Sequence, residues 1–311
     1  MRSIDKIVLA WLVLIALVAL VGNVSLAAEN GWTSAEFLQI DVSARAAGLG
    51  GANSILAEGA EAASFNPAGL GNFQNAQFSV SHFAWYQDIN LEHVAAAFSV
   101  NDRSAAAVAI TYLGYGQIDA YDATGAAKGS LSAYDLATSV SFGYQATDKI
   151  SIGLTGKYVT EKLADISASA MAVDVGVKFT EDRYSVSGVL SNFGTDLTYE
   201  SIPEKLPTTA LLGVAYHPTE YDYQIAAEYE RGRRGEQAFR TGFEILLQER
   251  YYLRTGYNFL FNQTGSSFGD GLCFGLGLAA GQAEFDYAYS LGGSNHSDDL
   301  HRFTLKYSLG K

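Results

Sequence analysis

The chain has one cysteine, Cys273, four prolines and little charge, 17% of its 311 residues. A single cysteine excludes an internal disulfide framework. Few prolines and few charges argue against a linker-rich or disordered chain, and 32 glycines, 19 tyrosines and 17 phenylalanines suit short strands joined by tight turns. Apart from Ile7–Val21, no apolar run approaches the length of a membrane helix, although 48% of residues are hydrophobic. Any membrane insertion of the mature chain must therefore use alternating strands. Basic residues are also scarce: the net charge is -13, and removing residues 1–27 leaves 18 basic against 32 acidic residues. That balance excludes nucleic acid as a natural partner.

Residues 1–27 read as a secretory signal peptide. Arg2 and Lys6 precede the apolar run, and Ser25-Leu26-Ala27 supplies the small residues a signal peptidase reads. No cysteine follows that would direct lipid attachment. Residues 28–75 show no strand alternation and are rich in Ala and Gly, most of all from Phe37 to Leu70. This segment is expected to act as a plug enclosed by the strands on its C-terminal side.

From Ala76 to Lys311 the pattern has period two. Phe285, Tyr287 and Tyr289 alternate with Glu284, Asp286 and Ser290, and Phe303, Leu305 and Tyr307 alternate with Arg302, Thr304 and Lys306. Fourteen such segments are expected, at 76–84, 91–100, 104–115, 132–145, 150–161, 168–180, 184–190, 208–216, 223–230, 237–247, 251–260, 271–280, 283–291 and 300–309. Their connections tend to alternate between short turns and longer loops, notably Gly116 to Leu131 and Ser191 to Pro207. Sorted loops, an even strand count and aromatics near strand ends (Tyr115, Tyr134, Tyr144, Tyr158, Phe179, Tyr184, Tyr216, Tyr257, Phe259) predict a fourteen-stranded antiparallel outer-membrane β-barrel, all-β and transmembrane. Outer-membrane lipid would surround it, both termini would be periplasmic, and the first strand must pair with the last.

The opposite face of these strands should line the lumen. It carries Asp174, Glu228, Arg240, Glu244, Arg254, Glu284, Asp286 and Arg302, together with Asp135, Lys157, Lys178, Glu230 and Lys306. Arg45 is the one basic residue in the Phe37–Leu70 segment, and Asp174, Glu228, Glu244, Glu284 and Asp286 are its expected partners on the wall. Gly48-Leu49-Gly50-Gly51-Ala52 lacks the spacing of a phosphate-binding loop and reads as close backbone packing. Asn66-Pro67 reads as the turn that leads into the first strand.

His296, Asp298, Asp299 and His301 could gather a cation, and Arg231, Arg233 and Arg234 could meet an anionic surface, but neither has diagnostic spacing. No nucleophile elbow or Cys-His pair is present, so no enzyme and no cofactor is expected.

The segments Phe37-Leu38-Gln39-Ile40, Ser43 to Ala52 and Ala62 to Leu70 resemble the opening of PorV/PorQ family proteins, which belong with the FadL-like outer-membrane barrels. Weaker matches are Asp88-Ile89-Asn90, Leu206-Pro207 with Leu211 to Tyr216, and His301-Arg302. The resemblance implies a fourteen-stranded barrel with an N-terminal plug. It also implies a place beside type IX secretion, with secreted cargo proteins or secretion-machinery components as partners. The alternative it leaves open is a FadL-like transporter of hydrophobic small molecules. The chain ends Ser308-Leu309-Gly310-Lys311, without the terminal aromatic common among outer-membrane barrels.

Overall fold

A computed structural model describes residues 33–85, 89–218, 220–261, 271–291 and 300–310. The expected signal peptide, Asp88, most of the loop Phe261 to Asp270, and His296, Asp298 and Asp299 lie outside the described residues.

Period-two alternation becomes strand wherever it was expected. The strands are β1 (Ala76–Ala84), β2 (Asn90–Asn101), β3 (Ser104–Tyr121), β4 (Ala127–Gln145), β5 (Ile150–Leu163), β6 (Ile166–Glu181), β7 (Tyr184–Gly194), β8 (Leu197–Tyr199), β9 (Ile202–Glu204), β10 (Thr209–Tyr216), β11 (Tyr223–Gly232), β12 (Gln237–Leu247), β13 (Tyr251–Phe261), β14 (Leu272–Ala280), β15 (Ala283–Ser290) and β16 (Leu300–Leu309). Fourteen of them close into an antiparallel barrel in chain order, with β7 beside β10. β1 pairs with β16 from Ala76↔Leu309 to Ala84↔His301, so the sheet has no free lateral edge.

Two expected loops are built differently. Much of Gly116 to Leu131 is strand, because β3 and β4 pair on beyond the barrel as a two-stranded ribbon, as far as Tyr121↔Ala127. Ser191 to Pro207 contains the β8–β9 hairpin, which turns back onto the wall. Its Leu197 is buried, as is Leu206 just beyond it, and Thr33 forms a parallel bridge with Lys205. β7 bulges opposite Val173–Val175, where Asn192 takes a left-handed conformation and its N–H donates to Asp174 Oδ1 at 2.8 Å.

The outward face is apolar and exposed, with Phe78, Val80, Val140, Leu154, Met171 and Leu276 among its members. Aromatic pairs sit toward its two margins: Tyr184–Tyr216 (5.1 Å) at the short-turn end, and Tyr112–Tyr134 (5.7 Å) with Phe259–Phe261 (4.8 Å) at the long-loop end. Tyr115 and Phe179 depart from the expected exposed set. Tyr115 points inward and its hydroxyl donates to Asp135 Oδ2 at 2.7 Å, while Phe179 is buried.

The interior is filled by residues 33–75. They form 3-10 turns at Glu36–Gln39, Gly59–Glu61 and Pro67–Leu70, and two short helices, α1 (Ala44–Gly48) and α2 (Ala62–Phe65). Small residues allow the close fit. Ala60, Ala62, Ala63 and Leu70 pack on Ala95, Ala97, Ala105, Ala107 and Ala109 of the wall. Nearer the long loops, Phe37 and Val42 join Leu91, Leu113, Val159 and Leu197 in the largest apolar cluster.

Candidate functional site

α1 begins at Ser43, whose hydroxyl accepts from Ala46 N–H at 3.0 Å, satisfying one of the free donors of its first turn. Thr304 Oγ1 on β16 accepts from Ala44 N–H at 2.9 Å, so the same turn is tied to the wall. From the last residue of α1 onward the chain presses on β12, β13 and β14 at glycines. A Cβ on Gly48 would lie 2.9 Å from Gly275 Cα. Gly50 has φ +63°, and a Cβ there would lie 2.6 Å from Tyr257 N, so both backbone freedom and space require glycine. A Cβ on Gly51 would lie 3.0 Å from Arg240 Cδ.

At the far end of the segment, Asn66 Oδ1 accepts from Ala68 N–H at 3.0 Å while its amide donates to Ser54 O at 3.0 Å. Pro67 opens the following 3-10 turn, where its missing N–H is no loss.

One ring of buried charge joins the segment to the wall. Arg45 donates to both Glu244 oxygens, at 3.0 and 3.1 Å, and lies 3.4 Å from Glu61. Glu244 accepts from Arg254 Nε at 2.5 Å, and the same guanidinium reaches Asp286 at 2.5 Å and Glu284 at 3.5 Å. Lys306 closes the ring through Glu284 (2.8 Å), Asp286 (3.1 Å) and Glu61 (3.7 Å). Of the carboxylates expected for Arg45, Glu244 is its wall partner, while Asp174 and Glu228 are engaged elsewhere. Lys157 pairs with Asp174 at 2.7 Å, and Glu228 accepts from Ser54 N–H at 3.1 Å. Arg240 lies 2.6 Å from Glu230 and 4.0 Å from Glu228. Arg302 is buried, donates to Ser290 Oγ at 3.0 Å and lies over the Phe83 ring at 5.2 Å.

The charged groups of the segment respond to this ring. Burial pushes the Glu61 carboxyl upward, but Lys306 and then Arg45 outweigh it and hold Glu61 below the usual carboxylate range. Burial disfavours charge on Arg45 too, yet Glu244 and Glu61 raise it further above its ordinary value. A carboxylate with a depressed folded pKa contributes stability that is full above its unfolded value and is lost as pH falls through the folded value. The melting temperatures of wild type and Glu61→Gln should therefore differ by a constant amount from neutral pH down to about 4.5, and converge at lower pH. A gap that widens on acidification would contradict this ring.

The interior segment divides the lumen. On the short-turn side lies a polar vestibule of about 690 Å³ that reaches Arg45, Glu61, Lys149, Lys178 and Tyr252. Toward the long loops lies a smaller cavity of about 90 Å³, bounded by Phe37, Ile40, Phe65 and Ala137 together with Thr111, Lys157, Glu228 and Arg240. Ser54 faces the smaller cavity and the next residue, Ile55, the vestibule, so one thickness of chain separates them there.

The arginine cluster dissolves, and of the His296, Asp298, Asp299 and His301 group only His301 is among the described residues. Arg233 reaches Thr208 Oγ1 at 3.2 Å and Arg234 pairs with Glu36 at 3.6 Å, so these arginines engage the chain's own rim. His301 belongs to β16, where its ring meets the Tyr287 hydroxyl at 2.9 Å. Among the described residues no group of three or more acidic, histidine or cysteine side chains is placed to hold a metal.

Pattern reasoning did not single out Glu61 as part of the ring, nor Glu161, which is opposite Asp135 across β4 and β5. Glu61 lies in a 3-10 turn with no period to read, and the Asp135–Glu161 match depends on strand register.

A closed fourteen-stranded antiparallel barrel with its N-terminal residues folded inside is the class of structure that these features define. No family model and no curated protein sequence matches the chain. The fold is similar to that of the Pseudomonas putida toluene transporter TodX, with a TM-score of 0.63 and 13% identity over 86% of this chain and 97% of that one. It is also similar to a Pseudomonas aeruginosa FadL homologue (TM-score 0.58, 11% identity, 86% and 98% covered) and to the CymD monoaromatic hydrocarbon channel (0.56, 12%, 86% and 96%).

Proposed function

We propose that this protein is an outer-membrane channel for small hydrophobic molecules, with residues 28–75 as its plug. The observation that carries this reading is the divided lumen: a small cavity of mixed lining toward the long loops, with Phe37, Ile40 and Phe65 among its walls, a polar vestibule toward the short turns, and the N-terminal segment between them. An exposed apolar band edged by aromatics fits a lipid setting, and closure leaves no backbone edge in hydrocarbon. The similar folds include proteins described as hydrocarbon channels, which makes this class of solute the natural one to test. Short turns would face the periplasm, as would both termini, and the signal peptide at 1–27 would deliver the chain for export.

A host lacking its own channels for hydrophobic solutes, once supplied with this gene, should take up labelled toluene faster than the same host with an empty vector. An equal rate, with the barrel present in the outer membrane, overturns the proposal.

The opening motif from Phe37 to Leu70 favours a second reading, a PorV/PorQ-type barrel that binds secreted cargo or secretion-machinery components. The β8–β9 hairpin anchors the Ser191 to Pro207 loop to the wall through Leu197 and leaves Ile202 exposed, where a partner could reach it. Affinity purification from native membranes that recovers secretion components would support this reading.

A further inference from the structure

Resting on the channel reading above, we infer that the smaller cavity selects by charge, accepting an apolar molecule with an amine end and rejecting its carboxylate counterpart. The cavity is the site, and the groups around it decide which polar end it accepts.

Phe37, Ile40, Phe65 and Ala137 give it apolar wall, and Ser64, Thr111 and Ser139 line it as well. Two residues before Ala137 on β4, next to the residues that bound the cavity and not among them, Asp135 stands in direct register with Glu161 on β5. Like charges directly opposite on neighbouring strands are unfavourable. Here they are held by neutral donors only. Tyr115 donates to Asp135, the Tyr199 hydroxyl donates to Glu161, and Ala35 N–H donates to Glu161 at 2.8 Å. Among the described residues, no basic side chain lies within 4 Å of either carboxylate. Both tyrosines also pack on the apolar cluster beside the cavity. Carboxylates flanked by aromatic rings attract a cation by charge and by the ring quadrupole.

The inward side is no more welcoming to an anion. Asp41, Glu228 and Glu230 bound it, and each cation there already has a carboxylate: Lys157 is held by Asp174, and Arg240 lies between Glu230 and Glu228. With Arg302 added, the charged residues named here are three cations, Lys157, Arg240 and Arg302, and six carboxylates, Asp41, Asp135, Glu161, Asp174, Glu228 and Glu230. An entering carboxylate meets a surplus of like charge, and the one cation of these three without a carboxylate within 4 Å among the described residues, Arg302, is engaged by Ser290 Oγ and the Phe83 ring. An amine finds the reverse.

The test uses three ligands with one apolar body: 2-phenylethylamine, 2-phenylethanol and phenylacetate. Their binding to the purified full-length protein in nanodiscs of zwitterionic lipid is measured by equilibrium dialysis near neutral pH, with empty nanodiscs subtracted. The expected order is amine, alcohol, acid, with the amine at least about tenfold tighter than the acid. Asp135→Asn and Glu161→Gln should each narrow that ratio severalfold, whereas Glu249→Gln, in an exposed short turn, should leave it unchanged.

Equal binding of amine and acid, or a preference for the acid, overturns the inference and leaves the channel reading standing. A wild-type amine preference unchanged in both the Asp135 and Glu161 variants also overturns it, since the preference would then arise elsewhere. Should either variant fail to fold, the wild-type ligand order and the remaining variant decide. If none of the three ligands binds while toluene uptake persists, the inference alone falls; if uptake is absent too, the channel reading falls with it.

Discussion

Arg254→Ala is expected to destabilise the barrel by about 3–5 kcal/mol, the range for removing one partner from a buried ion network. Arg254 is 4% exposed and is the wall cation on which Glu244, Asp286 and Glu284 converge. Without it, Arg45 and Lys306 must balance those three carboxylates and Glu61 as well. Its guanidinium also lies over the Tyr252 ring at 4.7 Å, so truncation removes packing along with charge. Arg254→Lys should recover part of the loss, because an ammonium keeps the charge but not the fork that reaches Glu244 and Asp286 together. The measurement is the temperature at which the compact, heat-modifiable band disappears on gels. A melting temperature within error of wild type would show that the ring contributes nothing net.

The ring also shows which parts of the structure were legible in the sequence. Strand identity was readable because each strand has one lipid-side and one lumen-side face, a period-two signal of nearly binary contrast. Closure followed from the physics of an unpaired edge. The lumen-facing charges followed from parity, since Glu244, Arg254, Glu284 and Asp286 occupy the face opposite Ile245, Leu253 and Phe285. Which charges meet was not legible. Arg254 bonds to residues of β12 and β15, and the heights of those residues depend on the stagger of the strands around the barrel.

The expected pairing of Arg45 with a wall carboxylate reduced five candidates to a set, and only the stagger selects Glu244. The β8–β9 hairpin escaped notice for another reason. Its paired segments are three residues each, too short to show alternation, and its burial comes from Leu197 and from Leu206 beyond it. The β3–β4 ribbon escaped because Gly, Ser and Ala dominate it and no core sits beneath its far end to impose a pattern.

The second large effect concerns the seam between segment and wall. Gly256 faces inward on β13, and a Cβ there would intrude on the backbone of Leu49 and Gly50. Gly153 on β5 faces the backbone of Pro67 and Ala68 in the same way, on another part of the wall. Each strand could accept a β-branched residue as far as its own ladder is concerned, since valine suits a strand. The conflict lies wholly with the interior segment, which has no flexible side chain at these points to yield.

Gly256→Val should therefore leave the barrel assembled and displace residues 48–51, breaking the fit that Gly48, Gly50 and Gly51 allow. Permeability of reconstituted vesicles to small polar solutes should rise from near background by about tenfold or more, toward that of an open lumen. Gly153→Val should do the same from the Pro67 side, and the double variant should add little, because one displacement already opens the path. Permeability unchanged in both single variants, with heat-modifiable barrels intact, would mean that residues 33–75 fill the lumen without sealing it.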